Sequence, residues 1–261
     1  MKKKKLALLG YGYLNQHVAH AVKSGILEGY ELVGVLGRNP EKTQVIASHY
    51  NCKPCSTIEE LMNLEPDFVV EAASRTALLD YGKTVLKGGA NLVILSASIL
   101  SDLEFFQSLK ETAQENNSRI YLPGGAVGGF DLIRTAALMG PVDVTMTSKK
   151  VPQHLYHSPF FRNELLHITE TETVFEGSIT KLMQEFPYIY NVAMASALAT
   201  VGPDHIHFKI HAVPNFRGDE YHIHVKGQEV EIDLNIFTIN YNIAAWSVVT
   251  ILRNAVSTVV F

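Results

Sequence analysis

The segment that most restricts the fold is Leu6-Ala7-Leu8-Leu9-Gly10-Tyr11-Gly12-Tyr13-Leu14-Asn15, an apolar run that ends in a Gly-x-Gly turn. Four consecutive apolar residues read as a buried strand. From Leu14 to Val22 the apolar positions Leu14, Val18, Ala21 and Val22 share one helical face. Strand, glycine turn and helix in that order predict a Rossmann-type unit. Gly10 permits the tight turn and Gly12 the approach of a pyrophosphate to the helix N-terminus, where free N–H groups favour an anion. Asn15 stands at the third glycine position and predicts a less intimate contact between helix and strand. A Gly-x-Gly alone is a weak signal, and a plain structural turn is its alternative. Here the flanking strand and helix, and a second strand over residues 31–36, supply the required context.

The same alternation continues. Phe68–Glu71, Leu92–Leu95 and Arg119–Leu122 read as further strands, and helical patterns fall from Pro40, over Thr76–Leu86 and over Asp102–Glu115. These predict a parallel, doubly wound sheet of at least five strands. After Pro123 the run Gly124-Gly125-Ala126-Val127-Gly128-Gly129 leads into a helix over 130–139, and half-buried strands follow at 142–149, 205–211, 221–226 and 229–236. Short turns such as Lys226-Gly227-Gln228-Glu229 make this second sheet largely antiparallel. Asn191–Thr200 is a small-residue helix, and 243–260 is a last helix that returns to the first domain. The expected fold class is therefore α/β. A dinucleotide-binding domain takes 1–122 plus 243–261, and a catalytic and dimerisation α/β domain takes 123–242.

At the end of the second strand, where an acidic residue would hold the adenosine ribose hydroxyls, the chain has Gly37-Arg38-Asn39. A carboxylate would repel a 2′-phosphate, whereas glycine leaves room for one and Arg38 supplies a planar cation. NADP is expected ahead of NAD. With 22 Lys and Arg against 26 Asp and Glu, the net charge of −4 offers no basic surplus for a nucleic acid partner. The only cysteines, Cys52 and Cys55, have dithiol spacing but fall in a connection before a helix and read as an incidental pair. Two thiols cannot complete a metal site, and none is expected. Lys2–Lys5 imitates a signal peptide's charged end. The apolar run after it is too short, so a solvated basic leader on a cytoplasmic protein is expected, and no window is long enough for a membrane helix. In strand geometry His205, His207 and His211 share a polar face with Lys209, and His222 and His224 share one with Lys226. Tyr221, Ile223 and Val225 then face the core.

The run Tyr121-Leu122-Pro123-Gly124-Gly125-Ala126-Val127-Gly128-Gly129-Phe130-Asp131 resembles the Leu-Pro-Ser-Gly-Ala-Ile-Gly-Gly-Leu-Asp signature of the L-aspartate dehydrogenase family. Further blocks resemble that family in order: Val70-Glu71-Ala72-Ala73-Ser74 with Tyr81, Leu95-Ser96 with Leu100 and Asp102, Val174–Ser178, Phe186-Pro187 and Asn191-Val192-Ala193. The resemblance implies a Rossmann domain, a second α/β domain, a homodimer and NAD(P)-linked interconversion of L-aspartate with its imino or oxo acid. It places Ala126 and Asn191 by the dinucleotide, with Gly10, Gly12, Tyr13, Leu14, Arg38, Asn39, Ala73, Ser74 and Ser96 as the other expected cofactor contacts.

Departures cluster where the chemistry belongs. The family's Ala-Asp-Pro, four residues, then Asn-x-His-Glu-Ile becomes Ala212-Val213-Pro214, four residues, then Asp219-Glu220-Tyr221-His222-Ile223. Tyr221 falls at the catalytic histidine, and a one-residue bulge would be needed to turn His222 inward in its place. Ile189, Gly124 and 240–244 also depart from the family's polar residues. Tyr221, with an ordinary pKa of about 10, suits proton donation in a reductive, NADPH-dependent direction. Lys149 or Lys150 would add positive charge. Tyr221 and His222 are thus the catalytic candidates, on a substrate that has drifted from aspartate. The alternatives are a catalytically inactive NADP-binding sensor or partner subunit, and a sugar dehydrogenase. The latter lacks its usual Lys-Pro pair, Ser96-Ala97-Ser98 standing there.

Overall fold

The structure is a computed structural model that describes residues 2–186 and 190–261, so Pro187 and Ile189 lie outside it. It divides into two compact units, one reaching Gly125 and resuming over Ala244–Phe261, the other Ala126–Ile243.

In the first unit the chain order is β1 (Lys4–Leu9), α1 (Tyr13–Lys23), β2 (Tyr30–Leu36), α2 (Pro40–Tyr50), β3 (Lys53–Cys55), α3 (Ile58–Met62), β4 (Phe68–Glu71), α4 (Arg75–Lys87), β5 (Asn91–Ile94), α5 (Leu103–Glu115) and β6 (Ile120–Tyr121). The strands form one parallel sheet in the order β3-β2-β1-β4-β5-β6, the arrangement of a doubly wound dinucleotide fold. Helix starts follow local chemistry. The side chains of Asn39, Thr57, Ser74 and Asp102 each accept a hydrogen bond from an N–H of the first turn that follows. Lys4 and Lys5 belong to β1 instead of a solvated leader. Asp67 accepts from the Lys4 ammonium and the Lys5 backbone N–H, each at 2.8 Å. The short strand β3 extends the five expected strands to six. It carries Cys55, so the second cysteine sits in an edge strand and not in a connection, and Pro54 is tolerated because that edge needs no further ladder bond.

The second unit contains α6 (Phe130–Met139), β7 (Asp143–Lys150), a 3-10 turn (Pro152–Leu155), β8 (Glu172–Ser178), α7 (Ile179–Glu185), α8 (Asn191–Ala199), β9 (Ile206–Ala212), β10 (Asp219–Lys226) and β11 (Glu231–Thr238). Its sheet runs β11-β10-β7-β9-β8, antiparallel except for the parallel β7–β9 pair. Strict alternation sorts the faces: Ile206, Phe208 and Ile210 are buried, while His207 and His224 pair with Glu176 and Glu231 on the other side.

The chain ends in α9 (Asn242–Val256), shorter than the expected helix, with residues 257–261 non-helical. Val248, Val249 and Leu252 enter the core of the first unit beside Leu6, Val18, Tyr30 and Phe68, and the Tyr30 hydroxyl donates to the Leu252 carbonyl at 2.7 Å.

Candidate active site

Strand β1 lies between β2 and β4, so the loops after β1 and β4 part at the switch point of the sheet, where open α/β folds bind ligands. There a cleft of about 300 Å³ is lined by Gly10, Tyr11, Gly12, Arg38, Ala73 and Ser74, among others. Gly10 has φ +98°, and a Cβ on it would lie 2.8 Å from the Ala73 Cα. Only glycine lets these two loops approach so closely. A Cβ on Gly12 would meet nothing nearer than the Ala72 carbonyl at 3.8 Å, so that glycine leaves open space over the uncapped start of α1. Such a cradle of small residues at a helix N-terminus fits a dinucleotide pyrophosphate.

Other expected contacts are employed differently. Asn15 does not loosen the helix: it is fully buried and its Nδ2 donates to the Leu9 and Gly10 carbonyls, each at 2.9 Å. The Tyr13 ring packs at a tilt against His17 and Leu14 is half-buried, both at the start of α1. The Asn39 side chain caps α2, accepting from the Lys42 N–H at 2.9 Å. The room expected above Gly37 is filled: a Cβ there would run into the Tyr11 ring and lie 2.8 Å from Thr43 Oγ1. Glycine at 37 is therefore a packing requirement, and Arg38 stands exposed on the cleft wall. Ala126 and Asn191 belong to the second unit, the latter opening α8.

Glu71 organises the cleft. It closes the apolar strand β4 and is fully buried, with Oε1 accepting from the Ala73 N–H at 2.9 Å, the Ser74 N–H at 3.1 Å and the Ser96 hydroxyl at 2.9 Å. Its Oε2 accepts from the Ser96 N–H at 3.1 Å. Burial raises its pKa above the ordinary carboxylate range, against the pull of these hydrogen bonds. An acid at the end of an otherwise apolar buried strand was the sequence signal for it.

The cysteines supply no reactive thiolate: burial, with Cys55 adjacent, pushes the Cys52 thiol up to about 11. No group of three metal-ligating side chains occurs among the described residues.

In the second unit a small polar cluster lies on the inner face of the sheet, among its buried apolar residues. Asp219, 1% exposed at the start of β10, accepts from Lys150 Nζ at 2.8 Å through Oδ2 and bonds His154 Nδ1 at 2.9 Å through Oδ1. Lys150 Nζ also donates to the Tyr221 hydroxyl at 3.2 Å. Burial alone would lower the Lys150 pKa, but the Tyr221 and Asp219 oxygens outweigh it and keep the ammonium charged. Burial raises the Tyr221 pKa despite Lys150, so the phenol stays protonated at neutral pH. Across the strand from Tyr221 lies Ser148, whose buried hydroxyl has no partner among the described residues. His222 is not part of this cluster. The β10 register is unbroken against both neighbours, so no bulge turns it inward, and on the outer face its Nε2 meets Asp233 Oδ1 at 2.5 Å. His154, 65 residues before its carboxylate partner, had no local signal to reveal it.

A glycine turn at the switch point of a sheet in this strand order defines the class of fold, a doubly wound α/β domain of the dinucleotide-binding type. Residues 10–123 match the family described as the NAD-binding domain of homoserine dehydrogenase, and residues 131–255 match the C-terminal domain of aspartate dehydrogenase. The chain is 31% identical to L-aspartate dehydrogenase of Methanosarcina mazei over 86% of its own length and 84% of that protein's. It is 28% identical to the L-aspartate dehydrogenase of Methanocaldococcus jannaschii, with 96% of each chain covered. The protein belongs to the L-aspartate dehydrogenase family. Among solved structures, aspartate dehydrogenase of Thermotoga maritima shares the fold with a TM-score of 0.76 at 21% identity, over 99% of each chain. No helix among the described residues is long and apolar enough to cross a membrane.

Proposed function

We propose that the protein is an NADP-preferring dehydrogenase that interconverts a small amino acid with its imino or oxo acid, on a substrate no longer restricted to aspartate. The observation that carries this is the Tyr221 hydroxyl on a buried ammonium, 3.2 Å from Lys150 Nζ, on the inner sheet face of the second unit. The dinucleotide, when bound, supplies or accepts a hydride. Gly10, Gly12, Ala73 and Ser74 would hold its pyrophosphate, with Glu71 fixing the loops and Arg38 the 2′-phosphate. Tyr13, Leu14, Asn39, Ser96, Ala126 and Asn191 remain second to these.

Tyr221, kept protonated by burial, donates one proton to the carbonyl oxygen of the oxo acid as ammonia adds, and that oxygen leaves as water with its second proton from the added nitrogen, giving the iminium. Lys150 steadies the phenolate left behind, or a substrate carboxylate. His222, on the other face, has no part in the chemistry. A homodimer in the cytoplasm acting on a small-molecule substrate completes the reading.

The test follows NADPH and NADH oxidation with oxaloacetate and other 2-oxo acids plus ammonia. Faster turnover with NADPH, lost in Tyr221→Phe, is the expected result. Binding of NADPH with no turnover on any 2-oxo acid would favour a non-catalytic sensor and overturn the proposal.

A further inference from the structure

The chemistry just proposed leaves a vacancy for a base. Oxidising an amine requires a group that takes a proton from the substrate ammonium, because hydride cannot leave a carbon whose nitrogen lone pair is occupied. Lys150 and Tyr221 are both held protonated, so neither can take up the substrate's proton. Asp219 has each carboxylate oxygen engaged, one by Lys150 and one by His154.

We infer that His154, oriented by Asp219, is the general base of this site, an imidazole contributed by a different element from the β10 position that Tyr221 occupies. The inference rests on the dehydrogenase reading above. Its geometry is that of an oriented imidazole. A carboxylate only accepts, so the 2.9 Å contact makes Nδ1 the donor and leaves the lone pair of the neutral ring on Nε2. Nε2 has no hydrogen-bond partner among the described residues. Burial divides the pair in the same sense: the Asp219 side chain is 2% exposed and that of His154 35%, a fixed orienter behind an accessible ring. The ring is held by a stiff, short turn that directly follows β7, in which Pro152 and Leu155 are buried and the His154 N–H donates to the Val151 carbonyl at 2.9 Å. Tyr241 flanks it, with ring centroids 6.3 Å apart. The unpartnered buried hydroxyl of Ser148, on the same face as Lys150, is an independent sign that the cluster receives a polar ligand.

In the direction of amine oxidation one N–H bond of the substrate ammonium breaks, and its proton forms an N–H bond on His154 Nε2. The imidazolium is balanced by Asp219. The two electrons of the substrate C–H bond leave with the hydride to the oxidised dinucleotide, and the iminium that results is hydrolysed. In the reverse direction His154 returns the proton to nitrogen while Tyr221 serves oxygen, so the two groups have separate duties.

The experiment compares wild type, His154→Ala and, as an outer-face control, His222→Gln, in oxidative turnover of the amino acid that wild type accepts. His154→Ala should lower kcat by about 10²- to 10⁴-fold, with NADP binding by fluorescence unchanged, and added imidazole should restore at least a tenth of the loss. His222→Gln should match wild type. A second readout needs no turnover: in ¹⁵N spectra the ring signal absent from His154→Gln should show the Nδ1–H tautomer, and Asp219→Asn should shift it. Wild-type turnover that survives in His154→Ala, a failure of imidazole to rescue, or an Nε2–H tautomer would overturn the dyad while leaving the dehydrogenase standing. No turnover by wild type would overturn both.

Discussion

Asp219→Asn tests the buried cluster as a matter of stability. The Asp219 and Lys150 side chains are 2% and 12% exposed and 2.8 Å apart, so the substitution keeps the shape and leaves the ammonium without its counter-charge. Removing one partner of a buried pair costs about 3–5 kcal/mol, chiefly because the remaining charge is uncompensated. For a chain of this length that corresponds to a fall in Tm of roughly 6–20 °C. Lys150→Met should cost less, because the carboxylate that remains keeps its contact with His154 Nδ1 at 2.9 Å. The double variant, with neither charge, should regain most of the loss and lie within about 1–2 kcal/mol of wild type. Urea unfolding of the four proteins, with m-values compared, measures the coupling. Single effects that simply add in the double variant, or an Asp219→Asn loss under about 1 kcal/mol, would show that the pair behaves as a solvated surface contact.

Arg38→Ala should weaken NADPH binding about 10- to 100-fold, the worth of a charge-assisted contact, and leave NADH unchanged. Equal loss for both cofactors would remove the 2′-phosphate argument. Gly10→Ala, which sets a Cβ 2.8 Å from Ala73 Cα at φ +98°, should abolish dinucleotide binding and lower stability by about 1–2 kcal/mol. Calorimetry showing wild-type affinity would refute the close approach. Glu71 has a pKa raised by burial, so the folded state holds its proton to higher pH than the unfolded chain does. Stability relative to Glu71→Gln should therefore fall as pH rises from the ordinary carboxylate range through the folded value, then level off. A difference that grows in favour of wild type over that window would contradict the burial account.

What could be read from the chain was whatever depends on near neighbours. The glycine turn, the capped helix starts and the two faces of β10 all follow from residues within a few positions of one another. Alternation alone placed Tyr221 inside and His222 outside. Strand β3 escaped because three residues with a proline show no period, and β8 because Glu172–Ser178 mixes polar and small residues on an edge. The error over Gly37 has the same origin: a missing side chain looks like space until the ring of Tyr11, 26 positions earlier in the chain, is found there. Glu71 was visible in principle, whereas His154 acquires meaning only through Asp219 on another element.

The return of α9 to the first unit also bears on how the chain is made. As synthesis proceeds, residues up to Gly125 emerge with the surface meant for Val248, Val249 and Leu252 still bare, and the Tyr30 hydroxyl lacks the Leu252 carbonyl. The second unit, continuous in sequence, has all its strands before that helix leaves the ribosome. The later-encoded unit is thus the first that can be completed, and the dinucleotide fold must wait for the final fifteen-residue helix. A nascent chain halted before Ala244 would display an unfinished apolar core to the chaperones around it.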